Sequence, residues 1–241
     1  FFAEDRILSR GLDWYYGLWQ WNPNQHKFAL EASTSYTKIP IFNNVAETIS
    51  KYPIQANFKF IYMMRNPIEK IESHFRYSGT SISSFDPIQP SLIETSRYAK
   101  QIDEYYQRFP HENILLLNFE QLKTYPFGLL KQVCQFLGID QDWTFHGLDR
   151  VYNASKNRVF NDPLWQALKK VQFLHSLAGY IPYEYKNALH NLLGEKKEVN
   201  YKLSTEQRSF VLSELKDDLD KLNHTYGIKL SDLGLVSESI H

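Results

Sequence analysis

The stretch that most constrains this chain is Phe58-Lys59-Phe60-Ile61-Tyr62-Met63-Met64, which runs without a spacer into Arg65-Asn66-Pro67-Ile68-Glu69. A short, almost continuously apolar run of aromatic and branched residues predicts a strand buried on both faces of a parallel sheet. The residues after it predict an immediate helix start. Asn66 is a good N-cap, Pro67 suits the first helical position, and Glu69 stands three residues beyond the cap. Ile68, Ile71 and Phe75 continue as an apolar stripe at helical spacing. Strand, tight turn and helix in that order point to an α/β architecture.

The rest of the chain fits such a frame. Asn113 to Leu117 predicts a second buried strand, and Pro126 to Leu137 an amphipathic helix stopped by Gly138. A long helix is predicted from Ser204 to Tyr226, with a Val211, Leu215, Leu219 and Leu222 stripe and Gly227 as terminator. Further expectations are a helix within residues 5 to 20, a short buried strand at Phe28 to Glu31, and a helix over 43 to 51 closed by Tyr52-Pro53. A loop rich in Ser, Gly and Pro covers residues 79 to 90, and a polar helix follows to about Arg108. Neither repeats nor a linker are visible. The expected fold class is therefore α/β, a parallel sheet flanked by helices with a helical C-terminal third, in a single domain over residues 1–241.

Charge excludes some partners. Lysine plus arginine number 27 and aspartate plus glutamate 27, so no global field favours nucleic acid, and any anion site must be local. No apolar run reaches the length of a membrane span. Cys134, the only cysteine, lies in an apolar helical pattern and reads as a core residue. A lone cysteine forms no internal disulfide, which favours a reducing, cytoplasmic compartment. No cluster with metal-ligand spacing occurs. Oligomeric state is not legible.

One local anion site is legible. Arg65 follows a parallel strand at its carboxyl end, where open α/β sheets bind ligands, and the new helix offers free N–H groups there. At about 100° per residue, Ser73 falls nearly beneath Asn66, two turns down and opposite the core stripe. An arginine fork and a serine hydroxyl can thus meet one phosphate. The same residues equally describe an arginine capping a sheet and a serine on a solvated face.

The order strand, Arg65-Asn66-Pro67, then Ser73 resembles the 3′-phosphate-binding segment of PAPS-dependent sulfotransferases, where PAPS is 3′-phosphoadenosine 5′-phosphosulfate. Phe1-Phe2, Gly11-Leu12-Asp13-Trp14-Tyr15 and Glu31-Ala32-Ser33-Thr34-Ser35-Tyr36 are similar, in order and spacing, to the bacterial and heparan-sulfate-type branch. Phe136-Leu137-Gly138 resembles a family helix end, and Asn153 to Arg158 the late loop that closes over the phosphates. The resemblance implies a P-loop-like sulfotransferase that binds PAPS as co-substrate through Arg65, Ser73, Lys156, Asn157 and Arg158. Asn157 stands where the family often has the glycine that lets the backbone approach the phosphates, and Ala32 stands where heparan-sulfate enzymes carry lysine; by the second departure a sulfated glycan is not the implied substrate. The implied acceptor is a hydroxyl or amine on a small molecule, glycan or lipid.

The family's phosphosulfate loop and the branch's glutamate base match nothing in the chain. The resemblance places both ahead of Phe1-Phe2, so the chain is expected to be N-terminally incomplete and inactive by itself. The base is thus unassigned, with Glu31 and His74 as weak candidates, and Ser35, Tyr36 and Tyr77 are the candidate acceptor contacts. The alternative from another class is a non-catalytic nucleotide-binding or interaction module on the same fold.

Overall fold

In the computed structural model, which describes residues 1–54, 56–78, 87–145, 147 and 201–235, two strands form a parallel pair. β1 (Phe60–Met64) lies against β2 (Ile114–Asn118) in a register that sets Phe60 beside Ile114 and Met64 beside Asn118. The connection carries α4 (Pro67–Ser78), α5 (Pro90–Glu94) and α6 (Tyr98–Tyr106), as a parallel pair requires. Three helices precede β1, namely α1 (Asp5–Leu8), α2 (Gly11–Tyr16) and α3 (Val45–Lys51). After β2 come α7 (Phe119–Thr124) and α8 (Pro126–Leu137), and further on the long α9 (Thr205–Tyr226) and a 3₁₀ turn at Leu230–Leu233. The architecture is α/β, with helices flanking a parallel sheet and a helical C-terminal part. Among the described residues no helix is long and apolar enough to cross a membrane.

Contacts divide the chain into two units, Phe1–Lys70 with Pro87–His146 and Thr205–His241, and Ile71–Asp86 with Gly147–Ser204. In the first unit an aromatic cluster packs Phe2, Tyr15, Val45, Ala46, Ile49, Tyr105 and Ile114 together. The Val211, Leu215, Leu219 and Leu222 stripe of α9 is fully buried there, and α9 packs on α5 and α6. Its Asp218 is also buried and accepts the Ala99 and Lys100 N–H groups at 3.0 and 2.9 Å, capping α6 from another element. In the second unit Glu72 is fully buried, and accepts the Leu203 N–H at 3.1 Å and the Lys202 ammonium at 3.0 Å. Phe75 and Tyr201 meet edge to face beside it, at 4.9 Å.

Four expectations are corrected. Phe28 to Glu31 forms no strand, because it lies in no ladder; Leu30 is 73 % exposed and gives its carbonyl to the Trp19 indole instead. β1 is not buried on both faces, since Met64 is fully buried while Ile61 and Met63 on the alternate face stand 40 and 36 % exposed. The helix within 5 to 20 is two short ones, broken where Gly11 takes a left-handed φ of 80°. The polar helix is also two, parted where Thr95 and Ser96 hydroxyls bond back to the Leu92 carbonyl. It is not polar throughout, since α6 buries Tyr98, Ala99, Ile102 and Tyr105.

An asparagine with two duties stands at the end of β2 and another two residues beyond β1. Asn66 Oδ1 accepts the Ile68 and Glu69 N–H groups at 3.0 and 3.3 Å, and Nδ2 donates to the Gly234 carbonyl at 3.2 Å. Asn118 Oδ1 accepts the Glu120 N–H at 2.7 Å, and Nδ2 donates to the Asp232 carbonyl. Each amide therefore caps the helix that follows its strand and holds the segment around the fully buried Leu233. Asn66→Ala and Asn118→Ala should each lower unfolding free energy by about 1–2 kcal/mol in urea titrations. Asn118→Asp keeps the cap acceptor but loses the donor, so it should fall between wild type and Asn118→Ala.

Candidate active site

Arg65 leaves the sheet one residue beyond Met64, and the Asn66 cap turns the chain so sharply that the guanidinium faces the first turn of α4. There it meets Glu69, with Nη2 at 2.9 Å and Nε at 3.3 Å from Glu69 Oε2. Glu69 thus pairs with the arginine, while the cap bonds come from Asn66 alone. The Lys123 ammonium of α7 approaches the same carboxylate oxygen at 3.4 Å, and holds Glu120 at 2.7 and 2.9 Å. The Phe119 ring lies 5.2 Å from the Arg65 guanidinium carbon and 5.2 Å from Lys123 Nζ. Partial burial works to raise the Glu69 carboxyl pKa, but the Arg65 hydrogen bond and the Lys123 and Arg65 charges outweigh it and hold it below the usual carboxylate range. Tyr98 fixes the corner from behind, its hydroxyl donating to the Arg65 carbonyl at 2.7 Å.

Arg65 follows β1 directly and Lys123 sits in the last turn of α7, so a planar fork and a point charge meet at one carboxylate oxygen close to a capped helix start, chemistry that could hold an oxyanion. Lys123 went unread from the sequence, because its proximity to Arg65 depends on strand pairing. Lys70 is a second omission. Its ammonium donates to the Thr95 carbonyl and lies 5.0 Å from the Tyr98 ring centroid. Burial first, then the Lys38 charge, pushes its pKa down to about 8.

The other expected site residues fall in different places. Ser73 stands half-buried on α4 within the second unit, three residues before Arg76. Arg76 Nε is buried without a hydrogen-bond partner among the described residues, a donor the sequence reading did not single out. His74 is exposed and Tyr77 is 61 % exposed. Lys156, Asn157 and Arg158 lie outside the described residues.

Glu31, Tyr15 and Tyr36 form a separate group in the first unit. Tyr15 Oη donates to Glu31 Oε2 at 2.6 Å, and Tyr36 Oη donates to Oε1. Tyr36 Oη in turn accepts the Phe2 N–H at 3.3 Å. Both carboxylate oxygens therefore already accept a phenol proton, which is the work of an orienting anchor for the aromatic cluster. Ser35 lies beside this group, its N–H donating to the Ser33 hydroxyl at 3.2 Å.

The chain belongs to the sulfotransferase domain family, whose model matches residues 1–173. Among solved structures it is similar to a sulfotransferase from Alicyclobacillus acidocaldarius, at 15% identity and a TM-score of 0.46. That likeness covers 79% of this chain, and this chain spans 62% of that one. Comparison with curated proteins gives no match.

The tyrosine group sets a pH dependence. Burial first, then the hydrogen bond and charge of Glu31, raises the Tyr15 and Tyr36 phenols well above the ordinary range. In the unfolded chain a phenol ionises near pH ~10. Stability from these phenols is therefore complete below about pH 10 and lost as pH climbs toward their folded values. Lys70 acts in the opposite sense between about 8 and the ordinary lysine range near ~10.4, so it no longer contributes a slope above that. Urea midpoints should fall with pH above about 10.5, and the fall should be shallower in Tyr15→Phe, which is also weaker at neutral pH.

Proposed function

We propose that the protein is a PAPS-dependent sulfotransferase of the bacterial or heparan-sulfate-type branch, passing a sulfuryl group to a hydroxyl or amine. One observation carries the reading: in a chain of the sulfotransferase domain family, Arg65 stands at the end of a parallel strand with its fork matched to an oxyanion, the Glu69 carboxylate. A guanidinium already paired with carboxylate oxygen is chemically suited to phosphate oxygen. The lone Cys134 favours a cytoplasmic enzyme, and the resemblance implies a small-molecule, glycan or lipid acceptor.

The co-substrate supplies a sulfuryl group on a phosphate leaving group. Arg65 would hold its 3′-phosphate, with the resemblance assigning Ser73, Lys156, Asn157 and Arg158 to the same molecule. These contacts anchor; they touch a phosphate that the reaction leaves unchanged, so they act on affinity more than on the chemical step. Proton removal from the acceptor needs a carboxylate or imidazole within hydrogen-bond reach. Glu31, with both oxygens engaged by phenols, is poorly disposed for it, which leaves the base unassigned and His74 the weaker candidate that remains.

Arg65→Ala should weaken binding of adenosine 3′,5′-bisphosphate by about 2 kcal/mol in calorimetric titration. Ser73→Ala should cost less, because it removes a neutral hydroxyl. An assay with labelled PAPS and a panel of hydroxyl and amine acceptors tests the reaction itself, and absence of transfer to any of them would remove the enzyme reading.

A further inference from the structure

The Arg65 site contains its own anion. Glu69 Oε2 sits 2.9 Å from Arg65 Nη2 and 3.4 Å from Lys123 Nζ, so one carboxylate oxygen bridges two cations from different elements. The three side chains are about a third exposed, at 29, 35 and 41 % for Arg65, Glu69 and Lys123. An ion pair so open to water adds little to stability, whereas a phosphate monoester brings close to two charges and three acceptor oxygens. The exchange therefore favours phosphate. Each cation lies 5.2 Å from the Phe119 ring centroid, and attraction to that ring limits where they go when the carboxylate leaves.

We propose that Glu69 stands in for a phosphate in the free protein, bridging Arg65 and Lys123 until the ligand displaces it, and that Lys123 is thereby a second cation of the phosphate site. This rests on the reading that Arg65 binds phosphate. Glu69 sets the affinity by competition, and Lys123 supplies the charge that the freed site presents alongside the arginine fork. Lys123 keeps Glu120 as a neighbour at 2.7 and 2.9 Å, which holds the ammonium in place while Glu69 departs.

The test is calorimetric titration of adenosine 3′,5′-bisphosphate into the protein and its Glu69→Gln, Glu69→Ala, Lys123→Met and Arg65→Ala variants, with thermal unfolding to confirm folding. The control ligand is adenosine 5′-monophosphate, which lacks the 3′-phosphate. Both Glu69 variants should bind the bisphosphate about three- to fivefold tighter, since a competing surface ion pair is removed. Lys123→Met should bind it about tenfold more weakly and the monophosphate unchanged. In the Arg65→Ala background, Glu69→Gln should bring no gain. Unchanged or weaker binding by both folded Glu69 variants, with Arg65→Ala still impaired, overturns the stand-in role and leaves Arg65 as the phosphate ligand. Equal bisphosphate affinity in Lys123→Met and wild type overturns its place in the site. Unchanged affinity in Arg65→Ala overturns the underlying reading as well.

Discussion

The parallel pairing of β1 with β2 leaves two strand ends side by side, and at or just beyond each stands an amide that serves a helix start and a distant carbonyl. A parallel strand cannot turn back in a tight hairpin; its chain must leave at the carboxyl edge and re-enter from the far side. The first residues after each strand therefore face unpaired helix N–H groups and an open corner. Asn66 and Asn118 solve both problems with one side chain, the oxygen capping and the nitrogen reaching the 232–234 segment. That anchors the buried Leu233 against the same edge and ties the end of the described chain to its middle.

The corner at Arg65 inherits this geometry. Asn66 caps the helix, and the Glu69 carboxylate pairs with Arg65 rather than returning the bond of a capping box. The register that sets Met64 beside Asn118 brings α7 to this corner, with Phe119 of its first turn beside Arg65 and Lys123 of its last turn beside Glu69. Charge in a molecule with no net charge is thus concentrated by topology rather than by composition. Glu69 and Glu120 neutralise the two cations locally and hold them in place.

Much of this was legible beforehand, and the failures share a cause. The Asn66-Pro67 helix start, the Pro126–Leu137 helix with its left-handed Gly138, and the α9 stripe are local patterns, readable because capping, φ and helical period involve residues within a few positions of one another. Phe28 to Glu31 looked like a strand because apolar composition describes a segment's preference, while a strand exists only where a neighbour supplies hydrogen bonds. Ile61 and Met63 looked buried because an apolar run does not say how many of its faces are covered. The partners of Glu31 were not legible either: the two phenols that donate to its oxygens stand sixteen residues before it and five after it.

By itself, the sequence determined the strand–turn–helix at Arg65, the α/β class, the helix ends and the resemblance to sulfotransferases, since each is written in residues adjacent along the chain. Only the tertiary structure decided which charges meet. Lys123 is 58 residues beyond Arg65 in the chain and Asp218 more than a hundred beyond the α6 N–H groups it caps, and no local pattern encodes either encounter. A side chain's partner depends on strand register and helix packing, and Coulomb and hydrogen-bond energies fall off over a few ångströms. Proximity in space, which those energies require, is what the fold adds to the order of residues.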